Sequence, residues 1–232
     1  MGSNWSWTLV LPEGTWDEAA VERLLALADG FGLSPLRPGG GINGFDKSPG
    51  REGDHRVVDR AQLVQGLVSG SFATNLWTAS EVDVWLSTEP GGGDDSMSMS
   101  LDSVHCRRTP VADADPFRAL HRALTELWLA VAAEFGGRFG RVEDEWSLEQ
   151  IWSELRKPLD DTTPVPQWLS WFTYLGAERR RVLAPVLDRL GADVLEMRGG
   201  AALVRLLDDP AAVDPVRFAQ LHHEYRRAVR RG

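Results

Sequence analysis

Residues 82–104, VDVWLSTEPGGGDDSMSMSLDSV, decide the fold class of this chain. Two runs within it, Val82 to Leu86 and Met97 to Val104, alternate apolar and polar side chains with a period of two. This alternation is typical of strands that bury one face. The linker from Pro90 to Asp95 contains three consecutive glycines, a composition that favours a hairpin loop. The segment therefore predicts an antiparallel pair of strands.

Further strands and helices are predicted on both sides of this hairpin. Period-two alternation, unbroken apolar runs and turn signals predict strands at 5–11, 72–78, 168–175, 193–197 and 201–207. Apolar residues at helical spacing predict helices after the Thr15/Glu18 capping-box pair, at 59–68, from Asp115 to Phe135, near 147–155, at 177–190 and from Asp214 onward. Interleaved strands, helices and hairpins predict an α+β fold, mainly antiparallel sheet with helices packed on one face.

The domain organisation follows from length and from two Pro/Gly-rich stretches. A chain of 232 residues can form one core, so we expect a single α+β domain over 1–232. Three prolines between Lys157 and Pro166 make 157–166 the place for a boundary if the chain is two-lobed. Residues 33–54 predict a long loop, and such loops inside compact domains are either functional or disordered.

Composition excludes several classes of protein. The chain has 25 Lys and Arg against 34 Asp and Glu, a net charge of −9, which argues against nucleic-acid binding and favours a basic partner. Cys106 is the only cysteine, as expected in a reducing compartment. No apolar run approaches the roughly 18–20 residues of a membrane span, and Met1 to Trp7 lack the features of a signal peptide. We therefore expect a cytoplasmic protein with no membrane contact.

Candidate motifs for catalysis or for cofactor binding lack the neighbouring residues that such motifs need. Gly39, Gly41 and Gly44 have dinucleotide-fingerprint spacing, but prolines surround them where a strand and a helix would be needed. The five histidines lack metal-site spacing, and His105 and Cys106 are adjacent, so on a strand they would face opposite ways. We expect no catalytic residues, no metal, no cofactor and no enzymatic activity.

Charge distribution is the most informative feature of the sequence. Residues 81–104 contain six carboxylates and no Lys or Arg, and residues 142–161 contain seven against Arg156 and Lys157. A concentration of one charge sign steers a partner of the opposite sign, although charged runs are also common on solvated loops that bind nothing. The partner-binding candidates are Asp83, Glu89, Asp94, Asp95, Glu143, Asp144, Glu145 and Glu149, with Trp146 as an aromatic contact.

The C-terminal third resembles a known family. The relevant stretches are Gln167 to Gly176, Gly199 to Leu206, Asp208 to Pro210 and Gly137 to Gly140, together with Trp146. Over roughly residues 136–210 they resemble the immunity protein 52 family of bacterial polymorphic toxin systems and the related type VI immunity proteins, which share a W-L-x-x-L-G-like segment. These are packing motifs and carry no catalytic chemistry.

The resemblance implies an α+β protein that binds and neutralises a cognate toxin inside the producing cell. Toxins paired with this family are often nucleases, and a nuclease is cationic where it grips phosphate, so an acidic surface would block it. Two alternatives remain open. One is a small-molecule enzyme with Asp46, Asp54 or His55 under the loop at 35–54, and the other is a general interaction domain without a toxin.

Overall fold

One antiparallel sheet of ten strands organises the molecule. The computed structural model describes residues 4–106, 113–155 and 163–231. The strands are β1 (Trp5–Pro12), β2 (Ile42–Asp46), β3 (His55–Val58), β4 (Phe72–Trp77), β5 (Asp83–Glu89), β6 (Asp94–Leu101), β7 (Phe139–Asp144), β8 (Phe172–Leu175), β9 (Asp193–Glu196) and β10 (Ala202–Arg205). They lie in the order β3-β2-β4-β5-β6-β1-β7-β8-β10-β9, and each neighbouring pair is antiparallel.

Within the residues that the structure describes, six α-helices accompany the sheet. They are α1 (Glu18–Gly30), α2 (Arg60–Val68), α3 (Asp115–Phe135), α4 (Glu145–Ile151), α5 (Ala177–Leu190) and α6 (Pro215–Arg230). The predicted α+β class with an antiparallel sheet is confirmed. The predicted hairpin is confirmed as β5 and β6, which pair directly with Trp85 opposite Ser100.

The central strand β1 separates two faces of the sheet. Trp5, Trp7, Leu9 and Leu11 are buried, while the residues between them are only partly buried, as strand alternation requires. The buried row packs with apolar residues of α1, α2 and α3 in the main core, so these three helices share one side of the sheet. This side is called the inner face, and the side that carries Ser6, Thr8 and Val10 is called the outer face.

The outer face is covered by helices at the C-terminal end of the sheet. Phe139 of β7, Leu175 of β8 and Val204 of β10 form a second core with Leu183 of α5 and Tyr225 of α6. Tyr225 also donates a hydrogen bond of 2.6 Å from its hydroxyl to the carbonyl oxygen of Pro166. The helices therefore lie on both sides of the sheet at this end, which refines the expectation of a single helical layer.

Three local predictions are corrected. The N-cap of α1 is Asp17, whose carboxylate accepts from the Ala20 amide at 2.7 Å, whereas the Thr15 hydroxyl donates to the Pro12 carbonyl. Only Phe172–Leu175 of the predicted strand 168–175 is a strand. The predicted loop at 33–54 contains strand β2, which forms a hairpin with β3.

The predicted boundary at 157–166 falls largely outside the described residues, since positions 156–162 are not among them. Strands β7 and β8, which precede and follow it, pair directly with Arg141 opposite Thr173. In the described parts of the chain, no helix combines the length and the apolar character needed to cross a bilayer.

Candidate acidic interface

A row of polar side chains crosses the outer face from β5 to β7. The strand registers place Trp85 opposite Ser100, Ser100 opposite Ser6, and Ser6 opposite Glu143. Side chains at paired positions of antiparallel strands point to the same side, so these four residues lie next to one another on the outer face. The next row contains Ser87, Ser98, Thr8 and the buried Arg141, so its neutral members are hydroxyl groups.

One end of this face collects acidic residues from both charged stretches of the sequence. A shallow depression of about 560 Å³ is lined by Asn4, Ser6, Asn75, Asp83, Trp85, Ser98, Ser100 and Asp102. Glu145 lies at the same end, because its amide donates to the Asn4 carbonyl oxygen and its carboxylate accepts from the Asn4 amide at 3.4 Å. We call Asp83, Asp102, Glu143 and Glu145 the acidic end.

Neutral donors hold these carboxylates in place. Asp83 accepts from the Asn75 side-chain amide at 3.0 Å, and Asp102 accepts from the Val104 amide at 2.7 Å. One oxygen of Glu143 accepts from the Trp168 indole at 3.1 Å and from the Ser170 hydroxyl at 2.6 Å. These bonds orient the side chains and leave their negative charge in place.

The acidic end keeps its charge within the described part of the chain. There, no Lys or Arg forms an ion pair with Asp83, Asp102, Glu143 or Glu145, and the nearest basic group to Asp83 is a histidine nitrogen, His105 Nε2, at 3.6 Å. Glu149, one turn after Glu145 on α4, is exposed, and Trp146 between them is half-buried. Two stretches that are distant in sequence thus present unneutralised carboxylates at one place.

Other predicted partner-binding residues lie elsewhere. Glu89 and Asp94 stand at the opposite end of the β5–β6 hairpin, where Glu89 pairs with Lys47 at 3.0 Å and Asp94 pairs with Arg138. These two carboxylates are neutralised by the protein's own cations. Glu89 and Asp94 therefore do not belong to the acidic end, and their role in partner binding stays a prediction.

Two further predicted residues are buried and have internal roles. Asp95, 2% exposed, accepts from the Trp16 amide at 3.2 Å and the Gly91 amide at 3.0 Å. Asp144, 1% exposed, caps α4 by accepting from the Ser147 amide at 3.2 Å and also accepts from the Trp171 indole at 2.7 Å. Neither carboxylate belongs to an exposed surface, because each satisfies backbone or indole donors in the core.

Sequence reasoning missed the neutral part of this surface. Ser6, Ser98, Ser100 and Asn75 line the depression but carry no charge, so a search for charge clusters does not find them. The available signal was the serine at every second position of β6, beside a tryptophan with polar neighbours. The outward serines at 96, 98 and 100 leave a polar strip along this strand.

Of the residues of the alternative enzyme hypothesis, Asp46 and Asp54 come together through Arg51, whereas His55 faces away from Asp46. Asp46 is buried and accepts from the Ser48 amide at 2.8 Å; hydrogen bonds from the Ser48 hydroxyl and then from this amide lower the pKa of its carboxyl group. The strand register places His55 opposite Phe45, the residue before Asp46, so His55 and Asp46 face opposite sides of the sheet. The His55 ring is bound to the Asn43 side chain at 2.9 Å, and exposed Asp54 pairs with Arg51.

Nucleophile and metal chemistry find no support in the described residues. Burial, followed by the charges of Asp102 and Asp144, raises the pKa of Cys106 to about 12. Such a thiol stays protonated near neutral pH and is a poor nucleophile. Within 4–106, 113–155 and 163–231, no cluster of three or more His, Cys, Asp and Glu side chains could hold a metal ion.

Comparisons with known proteins identify a similar fold. No protein-family model matches the chain, and no curated protein matches it. Among solved structures, the fold is similar to that of the type VI secretion system (T6SS) protein PA0821 of Pseudomonas aeruginosa, with a TM-score of 0.54 and 12% sequence identity. The similarity covers 97% of this chain and 73% of that protein. The resemblance to the immunity protein 52 family stays a prediction, and what is shown is a fold shared with a protein of a type VI secretion system.

Proposed function

We propose that this chain is a non-catalytic immunity protein of a type VI-related toxin system, which neutralises a cognate toxin by binding it through the acidic end of the outer face. The observation that carries the proposal is that Asp83, Glu143 and Glu145 lie at the same end of the outer face, without an ion-paired Lys or Arg among the described residues. The fold shared with a T6SS protein supports the biological setting.

Electrostatics favours a basic partner. Opposite charges across an interface accelerate encounter and exclude partners of the same sign. A toxin that cleaves nucleic acid needs cationic side chains at its phosphate-binding site, and an acidic surface competes for those side chains. The proposal therefore favours a nuclease as the cognate toxin.

The neutral part of the outer face supplies the remaining contacts. Four adjacent strands, β4, β5, β6 and β1, cover roughly 19 Å by 25 Å, or about 480 Å², a little over half of one partner's share of a standard interface. Hydroxyl groups of Ser6, Ser98 and Ser100 can donate and accept hydrogen bonds there. Trp85, half-buried beside them, is suited to act as an aromatic anchor.

Co-expression tests the function itself. The product of the neighbouring open reading frame is expressed with and without this chain, and growth is scored. Neutralisation predicts that growth stops with the neighbour alone and recovers when this chain is present. Growth arrest that this chain fails to relieve would contradict immunity against that protein.

Association kinetics test the proposed surface. The double variant Glu145→Lys/Glu149→Lys reverses two exposed charges near the acidic end, and the control Glu13→Lys/Asp29→Lys makes the same net change at exposed positions elsewhere. By stopped-flow, we expect the first variant to slow association by about tenfold at low salt, with a smaller difference as salt increases. The control should stay close to the wild type, and both should keep the wild-type thermal midpoint. Equal rates for the two variants, independent of salt, would contradict electrostatic steering by this surface.

A further inference from the structure

The depression at the acidic end contains two carboxylates at opposed positions. The register that places Trp85 opposite Ser100 places Asp83 opposite Asp102, which is one residue beyond the end of β6. Both aspartates line the depression, whose volume is about 560 Å³. Like charges at directly opposed positions of antiparallel strands repel each other and destabilise the pair. A cation held between the two carboxylates would remove that repulsion.

The described residues of the protein do not supply this cation. Among them, no Lys or Arg forms an ion pair with Asp83 or Asp102. The guanidinium of Arg37 lies over the ring of Trp77, the residue opposite Asp83 on β4, at 5.5 Å from the ring centroid, and it is not paired with either carboxylate. The ion-pair contact that Asp83 does make is with His105 Nε2 at 3.6 Å, which is charged only when protonated.

Both carboxylates keep free acceptor capacity. Asp102 accepts through Oδ1 from the Val104 amide at 2.7 Å and from the Ser103 hydroxyl at 3.3 Å, and no donor among the described residues is bonded to its Oδ2. Asp83 accepts through Oδ2 from the Asn75 side chain at 3.0 Å. A carboxylate offers about four lone-pair sites, so each aspartate can accept further hydrogen bonds.

An aromatic ring and free hydroxyl groups complete the depression. The Trp85 indole lines it and packs against Phe45, with ring centroids 4.8 Å apart, a contact that holds the indole in place. The hydroxyl groups of Ser6, Ser98 and Ser100 make no hydrogen bond to another described residue. The lining thus combines a flat apolar ring with acceptors that can receive several N–H groups.

A guanidinium group fits this combination better than an ammonium group or a metal ion. Guanidinium is planar, carries five N–H donors in fixed directions and stacks on aromatic rings, so it can bridge two carboxylates while lying against an indole. An ammonium group is a compact point charge that makes no use of a flat surface. Within the part of the chain that the structure describes, no cluster of three or more His, Cys, Asp and Glu side chains could hold a metal ion.

We propose that this depression is the binding site for an arginine side chain of the toxin, whose guanidinium lies between Asp83 and Asp102 and stacks on Trp85. The inference rests on the proposed function, because it assigns one contact of that partner on the same surface. It narrows the partner from any basic protein to one that presents an arginine to this depression.

The amides of acetyl-arginine and acetyl-lysine form a matched pair of probes for the free protein. Each carries one positive charge, but only the first has a guanidinium group. An NMR titration at equal ionic strength follows the indole N–H resonance of Trp85, which is identified by its absence from a Trp85→Phe variant. We expect the arginine probe to shift this resonance with roughly millimolar affinity and the lysine probe to bind about fivefold more weakly, since it lacks the stacking and the paired donors.

Neutral variants of the two aspartates test their role. Asp83→Asn/Asp102→Asn keeps an acceptor oxygen at each position but removes both charges, and it should lower the affinity for the arginine probe at least about fivefold. Its thermal midpoint should equal or exceed that of the wild type, because the opposed like charges are gone. The control Glu13→Gln/Asp29→Asn makes the same net change at exposed positions elsewhere and should bind the probe as the wild type does.

The outcomes distinguish the arginine site from the immunity function. In a saturated complex with the toxin, the Trp85 resonance should stop responding to the arginine probe, because the site is already filled. A continued response in the complex would overturn the inference, as would equal binding of the two probes, no saturable shift at tens of millimolar, or unchanged binding by Asp83→Asn/Asp102→Asn, even where co-expression restores growth. Failure to restore growth by a chain that binds the arginine probe normally would instead contradict the immunity function.

Discussion

Two buried histidines, His121 and His222, are kept neutral by their surroundings. Each residue is 3% exposed. Burial lowers the pKa of His121 to about 3. Burial is also the main cause that lowers the pKa of His222 to about 4, with Arg226 and His223 acting in the same direction and Glu154 opposing them. Folding therefore removes two proton-binding sites that the unfolded chain has.

This difference predicts acid destabilisation. Above pH 6.5 both states are neutral at these residues, whereas between 6.5 and about 4 the unfolded chain binds protons that the folded chain excludes. At pH 5 each histidine should lower the free energy of unfolding by about 2 kcal/mol relative to pH 7. Urea unfolding at the two pH values measures the loss, and His222→Gln and His121→Phe should each reduce it. A pH dependence that neither substitution alters would contradict the assignment.

Adjacent acidic residues differ sharply in their structural role. Asp144 caps α4 and accepts from the buried Trp171 indole, whereas the carboxylate of exposed Glu145 accepts from the Asn4 amide at 3.4 Å. Asp144→Ala should lower the free energy of unfolding by about 2–3 kcal/mol through the lost cap and the weakened indole bond, and Glu145→Ala should change it by less than about 0.5 kcal/mol. If urea denaturation gave the two variants equal losses in the free energy of unfolding, the stabilising role assigned to Asp144 would be contradicted.

At the scale of elements, β7 joins the two parts of the sheet because it pairs with both β1 and β8. Gly140 allows this strand to lie close to α3. A Cβ atom at Gly140 would be 2.6 Å from Trp128 Cζ2 and 2.8 Å from the Thr8 carbonyl oxygen, which accepts from the Trp128 indole at 2.9 Å. No side chain larger than hydrogen fits there without displacing the indole.

Gly140→Ala should therefore destabilise the fold by about 1–3 kcal/mol, the usual consequence of overpacking a core. Gly92→Ala in the β5–β6 hairpin is the matched control, because a Cβ atom there has no neighbour within 4 Å. Thermal unfolding of the two variants gives the comparison. A Gly140→Ala variant as stable as the Gly92→Ala variant would mean that β7 and α3 are not in close contact.

The alternation of apolar and polar residues predicted some of the strands and missed others. β1, β5 and β6 were predictable because each buries one face and alternates accordingly. β2, with the sequence INGFD, was missed because glycine, asparagine and aspartate obscure the alternation. Residues 168–171 are apolar without being a strand, since Trp168 and Trp171 direct their indole nitrogens to Glu143 and Asp144. Those bonds join positions more than 20 residues apart, so the local sequence pattern does not predict them.

At the scale of the whole molecule, the charge stretches were visible in the sequence but their distribution in space was not. Asp83, Glu143 and Glu145 lie at one end of the outer face because β5, β6, β1 and β7 are neighbours in the sheet. Glu89 and Asp94 are neutralised because the same order brings Lys47 and Arg138 to the other end of the hairpin. Which carboxylates stay available therefore depends on strand order, which composition does not determine.

Hydroxyl-radical footprinting of the complex with the toxin tests the central claim most directly. Phe45 and Trp85 are half-buried neighbours on the outer face, with ring centroids 4.8 Å apart, and exposed Val182 and Val216 on α5 and α6 serve as internal references. Binding through the acidic end of the outer face predicts that oxidation of Trp85, and to a lesser degree Phe45, slows several-fold while both valines are unaffected. Unchanged oxidation of Trp85 in a saturated complex, with protection confined to the helices, would contradict the account.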